Sequence, residues 1–341
     1  MAAARAASLL GPQPLVACNV YVSAGRLQHA DLLLRLLSNA QGQCHSLRAV
    51  NATEKIVVVH AYADGPYDRS SFHLAGQPDP VVAVASELAK GAIQGLLATP
   101  PCEEEDQDAS RHPFVGMVDH VAVMPLDETN HTVQSDMGGD SYKLTGWAAR
   151  GIGSVLDQLG VEVHYYGDAH PEGTPLATVR RERTSFFRSG GLGDSSPSNS
   201  RVGVSTVGAP PSFVENFNVR LRTDFRQTAR SLTWALRGRN GGLQGVEALT
   251  LPYTEGRYEV ACNLLRPDVV SVKAIEAKVN EWASQTMKAS PSHTLVEKAY
   301  RVGTTVEQCL EALSLSDSLE SATEYDDAVM ERFRGYIMNE G

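Results

Sequence analysis

The residues most suited to chemistry lie in one short stretch of the first half, between Arg111 and Leu126. This stretch contains His112, Asp119 and His120 and continues into an apolar run long enough to be a buried strand. The proline after His112 favours an extended or turn conformation for that histidine. An imidazole on a stiff loop at a sheet edge is well placed to transfer a proton near neutral pH. The alternative interpretation is an ordinary His-Pro turn without a chemical role.

Other kinds of site are not expected. On an extended strand Asp119 and His120 point to opposite faces and do not readily share one metal ion, and the helical HExxH pattern is absent. The sequence has no GxxxxGKS or GxxxxGKT motif, no GxGxxG between a strand and a helix, and no GxSxG. We therefore expect no metal site, no phosphate-binding loop and no serine hydrolase. Proton transfer by His112 and an ordinary His-Pro turn both remain open.

A second set of polar residues lies on one predicted strand of the second half. Alternation along this strand places Asn216, Asn218, Arg220 and Arg222 on one face. Two amides and two guanidiniums on one face could hold carboxylates in bidentate fashion. Asn263, on a later strand, could face the same groove. A solvated outer face of the sheet is an equally good interpretation.

The elements that carry these residues alternate between apolar β-branched runs and segments with helical spacing. In the first half we predict strands over 15–22, 55–63, 70–76, 117–124 and 161–166, and helices over 26–39, 81–98, 142–160 and 174–187. In the second half we predict strands over 213–221, 243–251, 257–264 and 293–300, and helices over 224–237, 271–284 and 304–313. The second half has the order β-α-β-β-α-β, and the first half repeats it up to residue 124. The predicted fold class is α+β, with two ferredoxin-like subdomains, each an open sheet with helices on one face.

The predicted domain organisation has four parts, since 341 residues exceed one typical domain. Residues 14–188 form the N-terminal subdomain and residues 212–313 the C-terminal subdomain. The Gly/Ser-rich segment 189–211 is predicted to be a flexible connector. Residues 314–341 are predicted to form an acidic tail with a peripheral helix.

Composition limits the partners and the compartment. A net charge of −10 argues against a general nucleic-acid binder. The five cysteines form no CxxC pair, which indicates free thiols in a reducing compartment. No apolar run approaches the roughly 18 residues of a membrane span, so no membrane partner is expected. Residues 1–8 resemble a weak organelle presequence with a single arginine, and a cytoplasmic location is the better expectation.

Over residues 15–313 the chain resembles the formiminotransferase domain of formimidoyltransferase-cyclodeaminase. It is still more similar to the short stand-alone plant and animal proteins of that family. The residues that carry the resemblance are Ala17-Cys18 through Val22-Ser23, Asp64-Gly65-Pro66-Tyr67-Asp68-Arg69, His112-Pro113-Phe114-Val115-Gly116-Met117-Val118-Asp119, Tyr165-Tyr166-Gly167, Phe217-Asn218-Val219 and Val260-Ala261-Cys262-Asn263-Leu264-Leu265. The resemblance implies two ferredoxin-like subdomains that meet over a groove, and a homodimer.

The resemblance also implies an activity, because enzymes of this family move the formimino group of N-formimidoyl-glutamate to tetrahydrofolate, their co-substrate. The proposed base of the family matches His112, and a substrate-facing turn matches Asp64 and Arg69, whose guanidinium could pair with a glutamate carboxylate. Arg220 and Arg222 are plausible contributors to a basic groove for the two anionic substrates. Asn218 and Asn263 complete the set of expected folate- and substrate-binding residues.

The chain departs from the family pattern at several positions. Ala24 stands where the enzymes have a glutamate, Tyr21 and Asp68 each stand where they have an asparagine, and no convincing match to their folate loop occurs between residues 190 and 211. Two hypotheses follow from this pattern. One is a formimidoyltransferase with His112 as its base, and the other is a non-catalytic folate-binding or assembly protein on the same fold.

Overall fold

The computed structural model describes residues 14–99, 112–127, 132–134, 141–184, 186, 201–286 and 295–338. The strands are β1 (Val16–Val22), β2 (Ile56–Asp64), β3 (Arg69–Gly76), β4 (His120–Pro125), β5 (Thr132–Gln134), β6 (Ser141–Lys143), β7 (Glu162–Gly167), β8 (Val204–Ala209), β9 (Glu215–Leu221), β10 (Val246–Pro252), β11 (Tyr258–Leu264) and β12 (Val296–Val302). The helices are α1 (Ala30–Val50), α2 (Pro78–Ala98), α3 (Leu144–Gln158), α4 (Leu176–Arg183), α5 (Arg226–Leu236), α6 (Val272–Thr286), α7 (Val306–Leu315) and α8 (Leu319–Met338). The α+β class is confirmed.

The larger sheet has six strands in the order β2-β3-β1-β4-β8-β7. β1 runs antiparallel to both β3 and β4, whereas β8 runs parallel to its neighbours β4 and β7. Because successive side chains of a strand point to opposite faces, Val16, Cys18 and Val20 of β1 face the main core, where α1, α2 and α3 also place their apolar residues. The odd-numbered residues from Ala17 to Tyr21 face the other side of the sheet.

The smaller sheet has four antiparallel strands in the order β10-β11-β9-β12. One of its faces packs against α5 and α6 through residues such as Leu232 and Ile275. The other face is polar and meets the larger sheet on the side that carries Tyr21, where Tyr21 donates to Asn216 across the two halves (3.4 Å). Counted within each half, the first four strands of both sheets have the order 2-3-1-4. Polar side chains therefore lie at the contact between the two sheets.

The prediction of a flexible connector over 189–211 is wrong for its final third. Residues Val204–Ala209 form β8, which lies between β4 and β7 with all of its residues buried. The run Val-Ser-Thr-Val is apolar enough to be a buried strand, but the Gly/Ser-rich stretch before it dominated the composition of the segment. The Gly/Ser-rich residues 187–200 lie outside the described part of the chain.

The last two predicted helices are confirmed as helices, but their predicted placement is wrong. α7 packs on the face of the larger sheet opposite to α1, with Cys309 and Leu313 in an apolar cluster with Val57, so this sheet does not carry helices on one face alone. α8 is not peripheral, because Phe333 is fully buried in the main core with its ring 5.5 Å from that of Phe72. Its apolar residues recur at helical spacing, and the acidic residues between them concealed this pattern.

Several element boundaries differ from the predictions. α1 continues to residue 50, well past the predicted end at 39, and β4 begins at His120 rather than at 117. α5 begins at Arg226 rather than at the predicted 224, and its N-cap residue Phe225 makes no side-chain hydrogen bond. Helix ends depend on tertiary packing as much as on capping residues, which explains the overrun of α1.

α2 is long and apolar enough to cross a membrane by length and composition, although no such segment was expected from the sequence. Half of its apolar window is buried. Residues such as Val81, Val84 and Leu88 pack in the main core. A buried core helix accounts for this composition.

Candidate functional site

The loop before β4 holds His112 in one defined orientation. Its backbone N–H donates to the carbonyl of Tyr67 (3.1 Å), and its Nδ1 lies 2.7 Å from the carbonyl oxygen of Pro113. A carbonyl only accepts, and this contact is much shorter than the 3.4 Å between Nδ1 and the guanidinium of Arg69, so Nδ1 carries the proton and Nε2 keeps its lone pair. Gly116 allows the loop to approach β8 closely, since a Cβ there would lie 2.3 Å from the carbonyl oxygen of Val204. The backbone therefore presents a partly buried imidazole whose Nε2 can accept a proton.

The turn between β2 and β3 positions Arg69 beside this loop. Asp64 accepts a hydrogen bond from the backbone N–H of Tyr67 (3.0 Å), which closes the turn. Asp68 has a φ of 49°, a left-handed conformation that aspartate adopts more readily than most residues. Its carboxylate accepts from the backbone N–H of Gly25 (2.8 Å), at the end of β1. The turn is thus fixed at both ends, and Arg69 leaves it towards His112.

Asp119 joins two arginines next to His112. It is fully buried, and its Oδ2 accepts from Arg69 (2.9 Å) and lies 3.7 Å from Arg180 of α4. Arg180 also donates to the hydroxyl of Thr206 in β8 (3.4 Å), and that hydroxyl donates to the backbone carbonyl of Asp119 (2.9 Å). A guanidinium nitrogen of Arg69 lies 3.4 Å from Nδ1 of His112. The four side chains of Arg69, His112, Asp119 and Arg180 form one cluster, called here the arginine–histidine cluster.

The electrostatics of this cluster favour neutral histidine. Burial lowers the pKa of His112 well below its usual value, and the nearby charge of Arg69 lowers it further. Burial, which the charge of Asp119 only partly offsets, lowers the pKa of Arg180 to about 10, so Arg180 remains a cation at neutral pH. Burial also raises the pKa of the Asp64 carboxyl to about 6. A neutral imidazole with a free Nε2 is the form that a general base requires.

Aromatic rings surround the cluster. Tyr21 stacks on His120 with 5.1 Å between ring centroids, and the Arg69 guanidinium lies 4.9 Å from the Tyr21 ring. The Arg180 guanidinium lies 4.0 Å from the ring of Phe186. These rings limit the movement of both arginines and exclude water from their faces.

The polar face of the second half is organised around a buried glutamate. Glu259 of β11 is fully buried and accepts hydrogen bonds from Asn218 (3.1 Å), Arg220 (2.9 Å), Tyr300 (2.7 Å) and, across the two halves, Tyr67 (3.0 Å). These residues, called here the glutamate hub, link the smaller sheet to the turn that contacts His112. Glu259 therefore connects the smaller sheet to the first half of the chain.

The predicted residues fall into two groups in the structure. His112 and Arg69 lie in the arginine–histidine cluster, and Asp64 closes the turn beside it. Asn218 and Arg220 face the same side, but their polar groups bind Glu259. Asn263 is exposed near the far end of β11 and accepts a hydrogen bond from Asn216 (2.7 Å), so it lies outside both groups.

Sequence reasoning missed three residues of the site. Arg180 was not among the predicted residues, and Asp119 was considered only as a metal ligand. Glu259 shares a strand face with Asn263, and this alternation is the signal that could have found it. Among the residues that the structure describes, no group of histidine, cysteine or carboxylate side chains could hold a metal ion.

Comparison with known proteins supports one family. The model of the formiminotransferase domain, N-terminal subdomain, matches residues 15–210. The chain belongs to this family. The match ends directly after β8, which the structure places inside the larger sheet.

Two curated relatives have the same ancestry. The chain is 25% identical over 313 residues to the formiminotransferase cyclodeaminase-like protein of Arabidopsis thaliana, an alignment that covers 86% of this chain and 94% of that protein. It is also 25% identical over 178 residues to the glutamate formimidoyltransferase of Thermoplasma acidophilum, which covers 49% of this chain and 55% of that protein. The second alignment thus spans only about half of each protein.

Solved structures add little. The formylmethanofuran:tetrahydromethanopterin formyltransferase of Methanosarcina barkeri aligns with 84% of this chain and 88% of its own, at 10% identity and a TM-score of 0.20. A TM-score this low carries no argument about fold or activity.

Proposed function

We propose that the protein is a formimidoyltransferase, which transfers the formimino group of N-formimidoyl-glutamate to tetrahydrofolate. The observation that carries this proposal is the state of His112. Its Nδ1–H is committed to the carbonyl of Pro113 and its pKa is lowered, so its Nε2 is a free base at neutral pH. Membership of the formiminotransferase family and the similarity to a glutamate formimidoyltransferase point to the same reaction.

In the proposed reaction, N5 of tetrahydrofolate attacks the amidine carbon of the donor. Nε2 of His112 removes the proton from N5 as the tetrahedral adduct forms. The imidazolium then returns this proton to the glutamate nitrogen, the bond between that nitrogen and the former amidine carbon breaks, and glutamate leaves. General base catalysis of this kind contributes about 10²–10⁴-fold to the rate.

The remaining predicted residues have proposed roles that follow from their positions. Asp64 shapes the turn, and Arg69 pairs with a substrate carboxylate. Asn218 and Arg220 support the groove through Glu259, and the exposed amide of Asn263 is accessible to a folate at the groove edge. We also propose two ferredoxin-like subdomains, because both sheets share the strand order 2-3-1-4. A cytoplasmic homodimer remains our expectation.

A second candidate function is non-catalytic folate binding or assembly on the same fold. The observation that favours it is Ala24, which is fully buried in the main core where the enzymes carry a glutamate. The carboxylate that the enzymes carry is thus missing from this position.

The deciding experiment measures turnover of N-formimidoyl-glutamate with tetrahydrofolate by the pure protein. We expect turnover by the wild type and a loss of at least about 10²-fold in His112→Ala. His164→Ala is the matched control, because burial also lowers the pKa of His164 while its contact is Glu162 of β7. Folate binding without turnover would support the second candidate, and the absence of both would exclude both functions.

A further inference from the structure

The arginine–histidine cluster contains more positive than negative charge. Arg69 and Arg180 contribute two cations, and Asp119 contributes one carboxylate between them. Both guanidinium side chains are largely buried, with 13% and 10% of their surface exposed. Buried charges are normally paired, because an unpaired ion loses its hydration without compensation. The cluster therefore lacks one negative charge.

Arg180 interacts more weakly with Asp119 than Arg69 does. It lies 3.7 Å from the shared Oδ2, compared with 2.9 Å for Arg69. Its Nε is buried without a hydrogen-bond partner in the described part of the chain. The lowered pKa of Arg180 agrees with this geometry, because burial and the charge of Arg69 outweigh the attraction of Asp119. A guanidinium with a purely structural role would be expected to have its buried N–H groups satisfied.

The donor substrate carries an anion at the required distance from the base. In an N-formimidoyl amino acid the reacting carbon is bonded to the α-nitrogen, which places it within about 4 Å of the α-carboxylate carbon at ordinary bond lengths. When the reacting nitrogen lies at Nε2 of His112, the α-carboxylate is therefore close to the neighbouring side chains. Arg69 touches the same imidazole (3.4 Å), and Arg180 shares Asp119 with Arg69.

We propose that Arg180, together with Arg69, binds the α-carboxylate of the donor and makes the site specific for N-substituted α-amino acids. This inference rests on the proposed function, since the donor is the formimidoyl-amino acid named there. The α-carboxylate supplies the negative charge that the cluster lacks, and the rigid guanidinium of Arg180 holds it in bidentate fashion. Stacking on Phe186 and the bond to Thr206 fix the guanidinium plane in advance.

The first test is steady-state kinetics of Arg180→Lys and Arg180→Gln. Arg180→Lys keeps the charge opposite Asp119 but loses the bidentate geometry, so we expect KM for the donor to rise about 10-fold with kcat within a few-fold. Arg180→Gln removes the charge, and we expect donor affinity to fall by about 10- to 100-fold. Arg183→Gln is the control, because Arg183 is an exposed arginine of the same helix.

The second test does not require turnover. L-Glutamate, L-glutamine and L-isoglutamine are titrated into the wild type and Arg180→Lys by calorimetry. Glutamine keeps the α-carboxylate, whereas isoglutamine replaces it with an amide. We expect Arg180→Lys to bind glutamate and glutamine more weakly than the wild type does. We expect its affinity for isoglutamine to be unchanged, because the wild type already binds isoglutamine weakly.

The outcomes separate this inference from the proposed function. A wild type that turns over with an unchanged KM in both Arg180 variants would overturn the inference and leave the function intact. Arg180-dependent binding of glutamine by a protein without turnover would support the inference and remove the function. An equal loss of affinity for all three ligands in Arg180→Lys would overturn the assignment of Arg180 to the α-carboxylate.

Discussion

Replacing Glu259 with glutamine removes the negative charge from the centre of the glutamate hub and leaves Arg220 without its partner. Glu259 is fully buried and the side chain of Arg220 is only 11% exposed, so water does not replace the lost carboxylate. Burial alone would lower the pKa of the Arg220 guanidinium, but the carboxylate of Glu259 raises this pKa above its usual value. An amide also turns one of the two acceptor oxygens into a donor that faces hydroxyl, amide or guanidinium donors.

The expected magnitude follows from this geometry. Removing one partner of a buried ion pair costs about 3–5 kcal/mol, because the other charge stays buried and uncompensated. We expect Glu259→Gln to lower the free energy of unfolding by that amount. Replacing Glu259 and Arg220 together with glutamine removes both charges and keeps an amide oxygen as an acceptor for the tyrosine hydroxyls, and we expect this double variant to lose less than Glu259→Gln alone.

The assay is urea unfolding at pH 7, followed by fluorescence and by circular dichroism to test for a single transition. Glu255→Gln is the matched control, because Glu255 pairs with Arg257 at the surface with 71% of its side chain exposed. We expect Glu255→Gln to lower the free energy of unfolding by at most about 1 kcal/mol.

The same substitution has a second readout at the candidate site. Glu259 holds the hydroxyl of Tyr67, and the backbone carbonyl of Tyr67 holds the backbone N–H of His112. We therefore expect kcat to fall in Glu259→Gln at a temperature where the variant is still folded. A loss of stability no larger than that of Glu255→Gln would refute the reasoning about the hub.

Three further predictions follow from the site and the core. Burial raises the pKa of Asp64 to about 6 from 3.8, so ionisation of Asp64 opposes folding as pH rises through this window. The free energy of unfolding of Asp64→Asn, measured in urea, should therefore rise relative to that of the wild type between pH 4 and pH 6, by up to about 3 kcal/mol above pH 6. A difference that does not change with pH would contradict the raised pKa. Burial and Arg69 lower the pKa of His112, so the acid limb of kcat/KM should lie below pH 6.5 in the wild type and move to higher pH in Arg69→Gln; an unmoved limb would show that Arg69 does not set this pKa. Phe333→Ala should lower the free energy of unfolding by about 3–5 kcal/mol. Leu319→Ala is the control, because Leu319 lies on the same helix and is 77% exposed, and its substitution should change the free energy of unfolding little. A small loss of stability in both variants would place α8 outside the core.

Much of the fold could be predicted from local patterns. The apolar runs that became β1 and β2 and the helical spacing of α2 are properties of neighbouring residues, so their element types were predictable. The same holds for the turn from Asp64 to Arg69 and for the extended loop at His112, because Pro113 and the Asp-Gly-Pro sequence restrict the backbone directly.

Other features could not be predicted because they depend on which strands become neighbours. β8 follows a Gly/Ser-rich stretch and has no local signal for its place between β4 and β7. The apolar spacing of α8 is typical of a helix with one buried face, but it does not show that Phe333 packs on the larger sheet.

For the candidate site, the sequence by itself predicted His112 as the base and determined the turn that carries Arg69. Only the tertiary structure decided the charge around that histidine. Arg69 meets Asp119 across 50 residues, and Arg220 meets Glu259 across 39. Such pairs form through the register of strands that are distant in the chain, and the burial that gives them their strength exists only once both sheets have packed. The alternation along β9 made Arg220 a candidate for binding substrate, but it could not show that the buried carboxylate of Glu259 already binds this arginine.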